Sequence, residues 1–369
     1  MIEDLLARLV AVPSPYPEEG AIGDLLADLL QERGFTVERQ RVVDGRANVL
    51  GSKGSGPSLL FLGHMDTVAP EPGWEDPYTL RRDDGRILGL GAHDMKGGIA
   101  CLLSALEGCD TPHAVKVAFT VDEENVSQGA HVLDTSGFLD DVVGCVSVES
   151  AELEGPEEAC LGRRGRTVLQ VDLYGRPAHA AAPKDGANAV TAAASVLQAL
   201  DDVPSATHEH LGHANMIPLG IHAEARGLTV PERCTLTLDR HLVPPETPES
   251  ALAVLREGLP DMPEGVRVEA RFADRPTPFL RPYWTDPDSA IARVVAGAIR
   301  TVVGKDVVWR AGASVADENA VGARGIPTVV YGPLGGRDHT RHEWVDASSL
   351  PVVRDVLARV LAEWTPPVD

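Results

Sequence analysis

Short apolar runs in this chain stop abruptly at histidine and carboxylate side chains. Leu59-Leu60-Phe61-Leu62-Gly63 ends at His64-Met65-Asp66, and Val117-Ala118-Phe119-Thr120-Val121 ends at Asp122-Glu123-Glu124. Cys145-Val146-Ser147-Val148 ends at Glu149. A run without a polar face of its own suits a strand covered on both sides, as in a parallel sheet clothed in helices. Open sheets of that kind bind ligands beyond the carboxyl ends of their strands. The runs therefore predict an α/β fold with a mostly parallel central sheet and a polar site at the strand tips.

The flanking pattern agrees. Leu5, Leu6 and Leu9, then Ile22, Leu25, Leu26, Leu29 and Leu30, recur at helical spacing, and Gly34 suits a helix stop. Strands are predicted near 36–42, 46–50, 58–62, 115–121 and 142–148, with a helix starting near Lys96 and a hairpin over 79–90 turning at Asp84-Gly85. After Gly162 the character changes. Leu169, Val171 and Leu173 alternate with Gln170 and Asp172, and Cys234, Leu236 and Leu238 alternate with Thr235, Thr237 and Asp239. Helices near 186–200 and 248–257 and a strand near 266–272 complete a two-layer, ferredoxin-like α+β pattern. Helix-strand alternation resumes beyond a Pro-rich stretch, Pro276 to Pro287, with helix 288–302, strand 326–331 and helix 347–363. The predicted organisation is a discontinuous first domain, 1–162 and 275–369, with 163–274 inserted; a length of 369 residues suits two domains.

Composition narrows the function classes. A net charge of -22 repels nucleic-acid backbones and anionic membranes, and an aromatic content of 4% offers few base-stacking surfaces. No apolar run reaches the length of a membrane-spanning helix. Cys101, Cys109, Cys145, Cys160 and Cys234 are widely spaced, which reads as buried reduced thiols and a cytoplasmic setting.

Each polar element also has a plain explanation. His64 and Asp66, two apart on extended chain, point to one side, so Asp66 could orient a metal-bound His64. Glu123 and Glu124 diverge at a strand end, so one could bind metal while the other takes a proton; a solvated acidic turn is the plainer alternative. Asp94 precedes a helix and could bridge two cations or cap that helix, and His93 lies beside it. His339 and His342 are equivalent on composition. Together these residues supply enough imidazole and carboxylate for two zinc ions sharing one bridging ligand.

The segments Gly63-His64-Met65-Asp66-Thr67-Val68, Gly89 to Gly98, Val121-Asp122-Glu123-Glu124, Val148-Glu149 and His339-Thr340-Arg341-His342-Glu343-Trp344 resemble the dinuclear zinc metallopeptidase family of acetylornithine deacetylase, succinyl-diaminopimelate desuccinylase and glutamate carboxypeptidase. The resemblance spans nearly the whole chain. It implies a zinc-peptidase-like catalytic domain with an inserted dimerisation or lid domain. It implies that His64 and Glu149 bind one zinc, that Glu124 and His339 bind the other, and that Asp94 bridges them. Asp66 would orient His64, and Glu123 would be the general base. Co2+ or Mn2+ could replace Zn2+, because mixed imidazole and carboxylate sites accept several ions.

Gly175-Arg176-Pro177-Ala178-His179 resembles the family segment whose histidine reaches a partner subunit's site, which makes His179 the expected oxyanion contact and the protein an expected homodimer. Arg240 resembles the family arginine that grips the substrate carboxylate. Leu228 stands where many relatives carry asparagine, and Asn215 is the alternative amide. Gly312 to Asp317 also departs from the family pattern. The implied activity is hydrolysis of an N-acyl amino acid by zinc-activated water with Glu123 as base. Dipeptide or carboxypeptidase activity, and a non-catalytic binding homologue, are the alternatives.

Overall fold

The strand Ser58–His64 is buried along its whole length, and Leu59, Leu60, Phe61 and Leu62 are each at most 1% exposed. Burying such side chains contributes about 1.5–3 kcal/mol apiece, so this strand anchors the sheet. The computed structural model describes residues 2–108, 111–150 and 153–367; Cys109 lies outside them. The chain divides into two compact units, one formed by Met1–Arg163, Trp284–Gly312 and Ala316–Asp369, the other by Arg164–Tyr283 and Ala313–Val315.

The first unit is built on a nine-stranded sheet. Its central part runs in the order Thr36–Val43, Arg46–Lys53, Ala114–Thr120, Ser58–His64, Val142–Ser147, Thr328–Val330, Glu158–Arg163. Ser58–His64 pairs in parallel with both neighbours, with His64 opposite Thr120 and Leu62 opposite Ser147. That register brings the carboxyl ends of three strands to one edge. Helices Ile2–Val10, Lys96–Ala105, Ala290–Val303 and Ser349–Glu363 bury apolar faces in the core beside it.

Helix Lys96–Ala105 approaches the strand tip at Val148 so closely that a Cβ on Gly98 would sit 1.8 Å from the Val148 carbonyl oxygen. Glycine is therefore required there, and the close approach sets Asp94 beside Glu149. The N-cap of this helix is Met95, and Asp94 does not cap it. The predicted hairpin forms from Arg81–Asp83 and Arg86–Leu88, with Asp84 and Gly85 both at positive φ, as a tight Asp-Gly turn requires. It joins Trp344–Asp346 and Gly335–Gly336 in a small four-stranded sheet that frames the loop carrying His339.

The second unit is a four-stranded antiparallel sheet, ordered Asn215–Ala223, Arg233–Leu242, Gly165–Tyr174, Arg267–Phe272. Helices Ala189–Ala199 and Pro248–Glu257 pack on its apolar face. Asn215–Ala223 is an edge strand and carries Pro218, which an edge tolerates because it lacks a ladder donor. Cys101, Cys145, Cys160 and Cys234 are buried and free. Among the described residues, no helix is long and apolar enough to cross a membrane.

Candidate metal centre

Two trios of side chains converge at the shared strand edge. His64 Nε2 lies 3.0 Å from Asp94 Oδ1 and 3.3 Å from Glu149 Oε2. His339 Nε2 lies 3.0 Å from Glu124 Oε2 and 3.3 Å from Asp94 Oδ2. Within each trio the ligand atoms all lie within 4.8 Å of one another, and Asp94 belongs to both, one oxygen turned to each histidine. Neither neighbouring histidine belongs to a trio. His93 contacts Asp338 at 2.7 Å and the Pro333 carbonyl oxygen at 3.2 Å, and His342 is exposed.

Backbone groups fix these side chains. His64 Nδ1 donates to the Asp66 carbonyl oxygen at 3.0 Å, which turns Nε2, the nitrogen a cation would take, towards Asp94 and Glu149. The Asp66 carboxylate lies further from His64, at 3.5 Å. It accepts the backbone N–H groups of Glu123 at 3.2 Å and Glu124 at 3.1 Å. Asp66 thus holds the glutamate turn with its side chain and His64 with its main chain. Asp122, at φ 73°, accepts from Arg46 at 3.1 and 3.2 Å and from the Gln128 N–H at 3.1 Å, which pins the same turn from the other side. His339 also has positive φ, 63°, a conformation costing roughly 1–2 kcal/mol that the surrounding structure must offset.

The electrostatics suit cations. Burial opposes charge on His64, yet the charge of Glu149 and hydrogen bonds to Asp66 and Asp94 raise its pKa well above the ordinary value. Hydrogen bonds to Asp94 and Glu124 push His339 up to about 11. Burial and the Asp94 charge push Glu149 up to about 7. Burial opposes ionisation of Asp94 too, but the two histidines hold it well below the carboxylate range. Crowded carboxylates here draw protons onto the imidazoles, and divalent cations would supply that positive charge instead. One imidazole and two carboxylates in each trio form a fitting donor set for Zn2+ or a similar divalent ion.

Glu123 adjoins a trio member but belongs to neither trio. Burial, with the charges of Asp317, Glu149 and Glu124, raises its pKa well above the usual carboxylate value against the opposing effect of His64. Asp317 is 3% exposed, and burial pushes it up to about 7. Sequence reasoning left both Asp317 and the buried Glu343 without a role; the chain's only hint of either was position within a motif.

His179, Asn215 and Arg240 are placed in the second unit. His179 is exposed, and its Nδ1 accepts the Ala181 N–H at 3.0 Å, which leaves Nε2–H as a donor in the neutral ring. Asn215 is exposed, and its Oδ1 accepts from the His241 N–H at 3.4 Å. Arg240 is 1% exposed, in the row of Leu236 and Leu238 on the helix-covered face. Its guanidinium is paired with Glu246 and donates to the Pro204 carbonyl oxygen at 3.1 Å. Both contacts use one terminal nitrogen, and Nε has no hydrogen-bond partner among the described residues.

Comparison with known proteins assigns the chain to a family. Residues 60–363 match the model of peptidase family M20/M25/M40. The succinyl-diaminopimelate desuccinylase of Wolinella succinogenes is 27% identical over 371 residues, covering 97% of this chain and 98% of that protein. Aminopeptidase PepT from Bacillus cereus has a similar structure, with TM-score 0.82, 19% identity, and coverage of 98% of this chain and 97% of the other. The YxeP protein of Bacillus subtilis, described as a dinuclear metal-binding peptidase, aligns with TM-score 0.71 at 13% identity, covering 98% and 96% of the two chains. The protein belongs to the M20/M25/M40 peptidase family, and it is a metallohydrolase acting on amide bonds.

Proposed function

We propose that this enzyme removes an acyl group from an N-acyl amino acid, using two zinc ions held by His64 with Glu149 and by His339 with Glu124, with Asp94 shared. The observation that carries it is a half-buried carboxylate, Glu123, whose backbone N–H is fixed to Asp66 and which is left out of both ligand trios. Ions in these sites supply Lewis-acid polarisation and lower the pKa of bound water. Glu123 takes a proton from the attacking water and returns it to the leaving amine nitrogen, so atoms and charge balance across the cleavage. His179, from a second copy of the chain, donates Nε2–H to the developing oxyanion. Asn215 is retained as a polar contact to the amino-acid product, and Arg240, with one terminal nitrogen on Glu246 and Nε without a partner among the described residues, is retained as the carboxylate contact.

The deacylase reading is supported by the desuccinylase relative, which matches almost end to end. A peptidase acting on dipeptides is the second reading, favoured by the likeness in fold to PepT. A panel of N-acetyl and N-succinyl amino acids run against dipeptides with the zinc-loaded protein separates them. We expect kcat/KM for the best N-acyl substrate to exceed that for any dipeptide by at least about tenfold, equivalent to roughly 1.4 kcal/mol in transition-state binding. A dipeptide ahead of every N-acyl amino acid would reverse the assignment.

The homodimer belongs to the same proposal. Ile217, Leu219 and Ile221 are 48%, 54% and 55% exposed on the edge strand Asn215–Ala223, and an unpaired apolar edge invites a second strand. Sedimentation should give twice the chain mass of 39.2 kDa, and Ile221→Lys should shift it towards the monomer. A wild-type monomer at micromolar concentration would remove the dimer and the role of His179 with it. Free, buried cysteines support a reducing, cytoplasmic setting.

A further inference from the structure

Glu343 is 1% exposed, and its carboxylate is occupied by main-chain donors from a distant part of the sequence. Oε2 accepts the Gly91 N–H at 3.0 Å. Oε1 accepts the His93 N–H at 2.9 Å and the Asp94 N–H at 3.2 Å. A buried carboxylate is costly unless hydrogen-bonded, and three amide donors meet that requirement. Successive N–H groups turned to one point form an anion-binding concavity, here filled by a side chain of the protein itself.

The bonds join two particular loops. One carries Asp94, whose oxygens face both histidines; the other carries His339, four residues before Glu343. His93 and Asp338, neighbours of these two residues, meet at 2.7 Å and tie the loops a second time. Nothing in hydrophobic packing would set the spacing of two such loops to a few tenths of an ångström, whereas hydrogen bonds of fixed length do.

We propose that Glu343 is a positioning residue, which clamps the Asp94 loop to the His339 loop and so sets the affinity of the cation site formed by Asp94, Glu124 and His339. The proposal rests on the two-cation reading above. Only an acceptor-only group serves all three donors. Glutamine has the same shape but keeps one acceptor oxygen, and its NH2 would face an amide N–H. Aspartate keeps the carboxylate but shortens the reach by one methylene.

The test uses the full chain as wild type, Glu343→Gln and Glu343→Asp. It measures Zn2+ stoichiometry and affinity by competition with a chromophoric chelator, the visible absorption of the Co2+-loaded protein, and melting of the metal-free protein. Wild type should bind two ions. Glu343→Gln should weaken one site by about 10–100-fold, the usual effect of losing a group that orients metal ligands, and should alter the Co2+ absorption. The other site shares Asp94 but takes no ligand from the His339 loop, so it should weaken less. Glu343→Asp should recover part of the loss.

Wild-type affinities at both sites and an unchanged Co2+ spectrum in Glu343→Gln overturn the proposal, even if melting falls, because the residue would then support the fold alone. If Glu343→Gln does not fold, Glu343→Asp decides: a displaced spectrum supports the clamp, and an unchanged one overturns it. A wild type holding fewer than two ions fails the two-cation reading itself, visible before any variant is compared.

Discussion

Glu123→Gln retains both metal ions and loses turnover, with kcat lower by about 10²–10⁴-fold, the range for removing a general base. Glutamine matches glutamate in shape, so the main-chain hydrogen bond from position 123 to Asp66 survives. What disappears is the capacity to take a proton. Position 123 belongs to neither ligand trio, so metal content should equal wild type. The neighbour gives the contrast: Glu124 lies 3.0 Å from His339 within a trio, and Glu124→Gln should lower metal occupancy together with activity. Steady-state kinetics on the best substrate, with metal analysis of the same samples, reads both effects. Glu123→Gln at more than a third of wild-type kcat with two ions bound would remove Glu123 from the chemistry.

The division between two adjacent glutamates was legible in the sequence as a possibility, because neighbours on extended chain diverge. The strand ends were legible for a simpler reason. Leu59 to Leu62 leave no polar face, so the strand had to be central and covered, and parallel pairing with Ala114–Thr120 and Val142–Ser147 then gathered His64, Glu124 and Glu149 at one edge. The hairpin was legible because Asp84-Gly85 adopts the backbone angles that such a turn demands.

Less visible elements lack a pattern of their own. Val308–Gly312 pairs with Glu158–Arg163 but includes Arg310 and alternates weakly, and Asn215–Ala223 is interrupted by Pro218 and Gly220. Hydrogen bonds to loop main chain were the least visible of all. That the Asp66 carboxylate binds the glutamate turn, with its carbonyl nearer to His64, depends on Asp122 at positive φ, which residue type alone does not reveal. The sequence row Leu236, Leu238, Arg240 did hold: it runs along the packed face of the sheet. A row that continues apolar residues carries its last member inward as well, and there Arg240 meets Glu246.

Asp94→Ala should strip both ions and reduce turnover by at least about 10³-fold, the equivalent of roughly 4 kcal/mol of lost transition-state stabilisation. The expectation follows from the carboxylate's two oxygens. Removing Glu149 or Glu124 takes one carboxylate from one trio, whereas removing Asp94 takes one from each and leaves each histidine with a single carboxylate. Asp94→Asn is the sharper variant, because it keeps an oxygen on one side and turns an NH2 towards the histidine on the other. It should hold close to one ion per chain, and excess Zn2+ should restore little activity. Metal analysis after dialysis against a fixed free-ion concentration distinguishes these cases. Two tightly held ions in Asp94→Ala would mean that the trios are independent, and the shared-ligand arrangement would fail even though every other distance at the site remained as described.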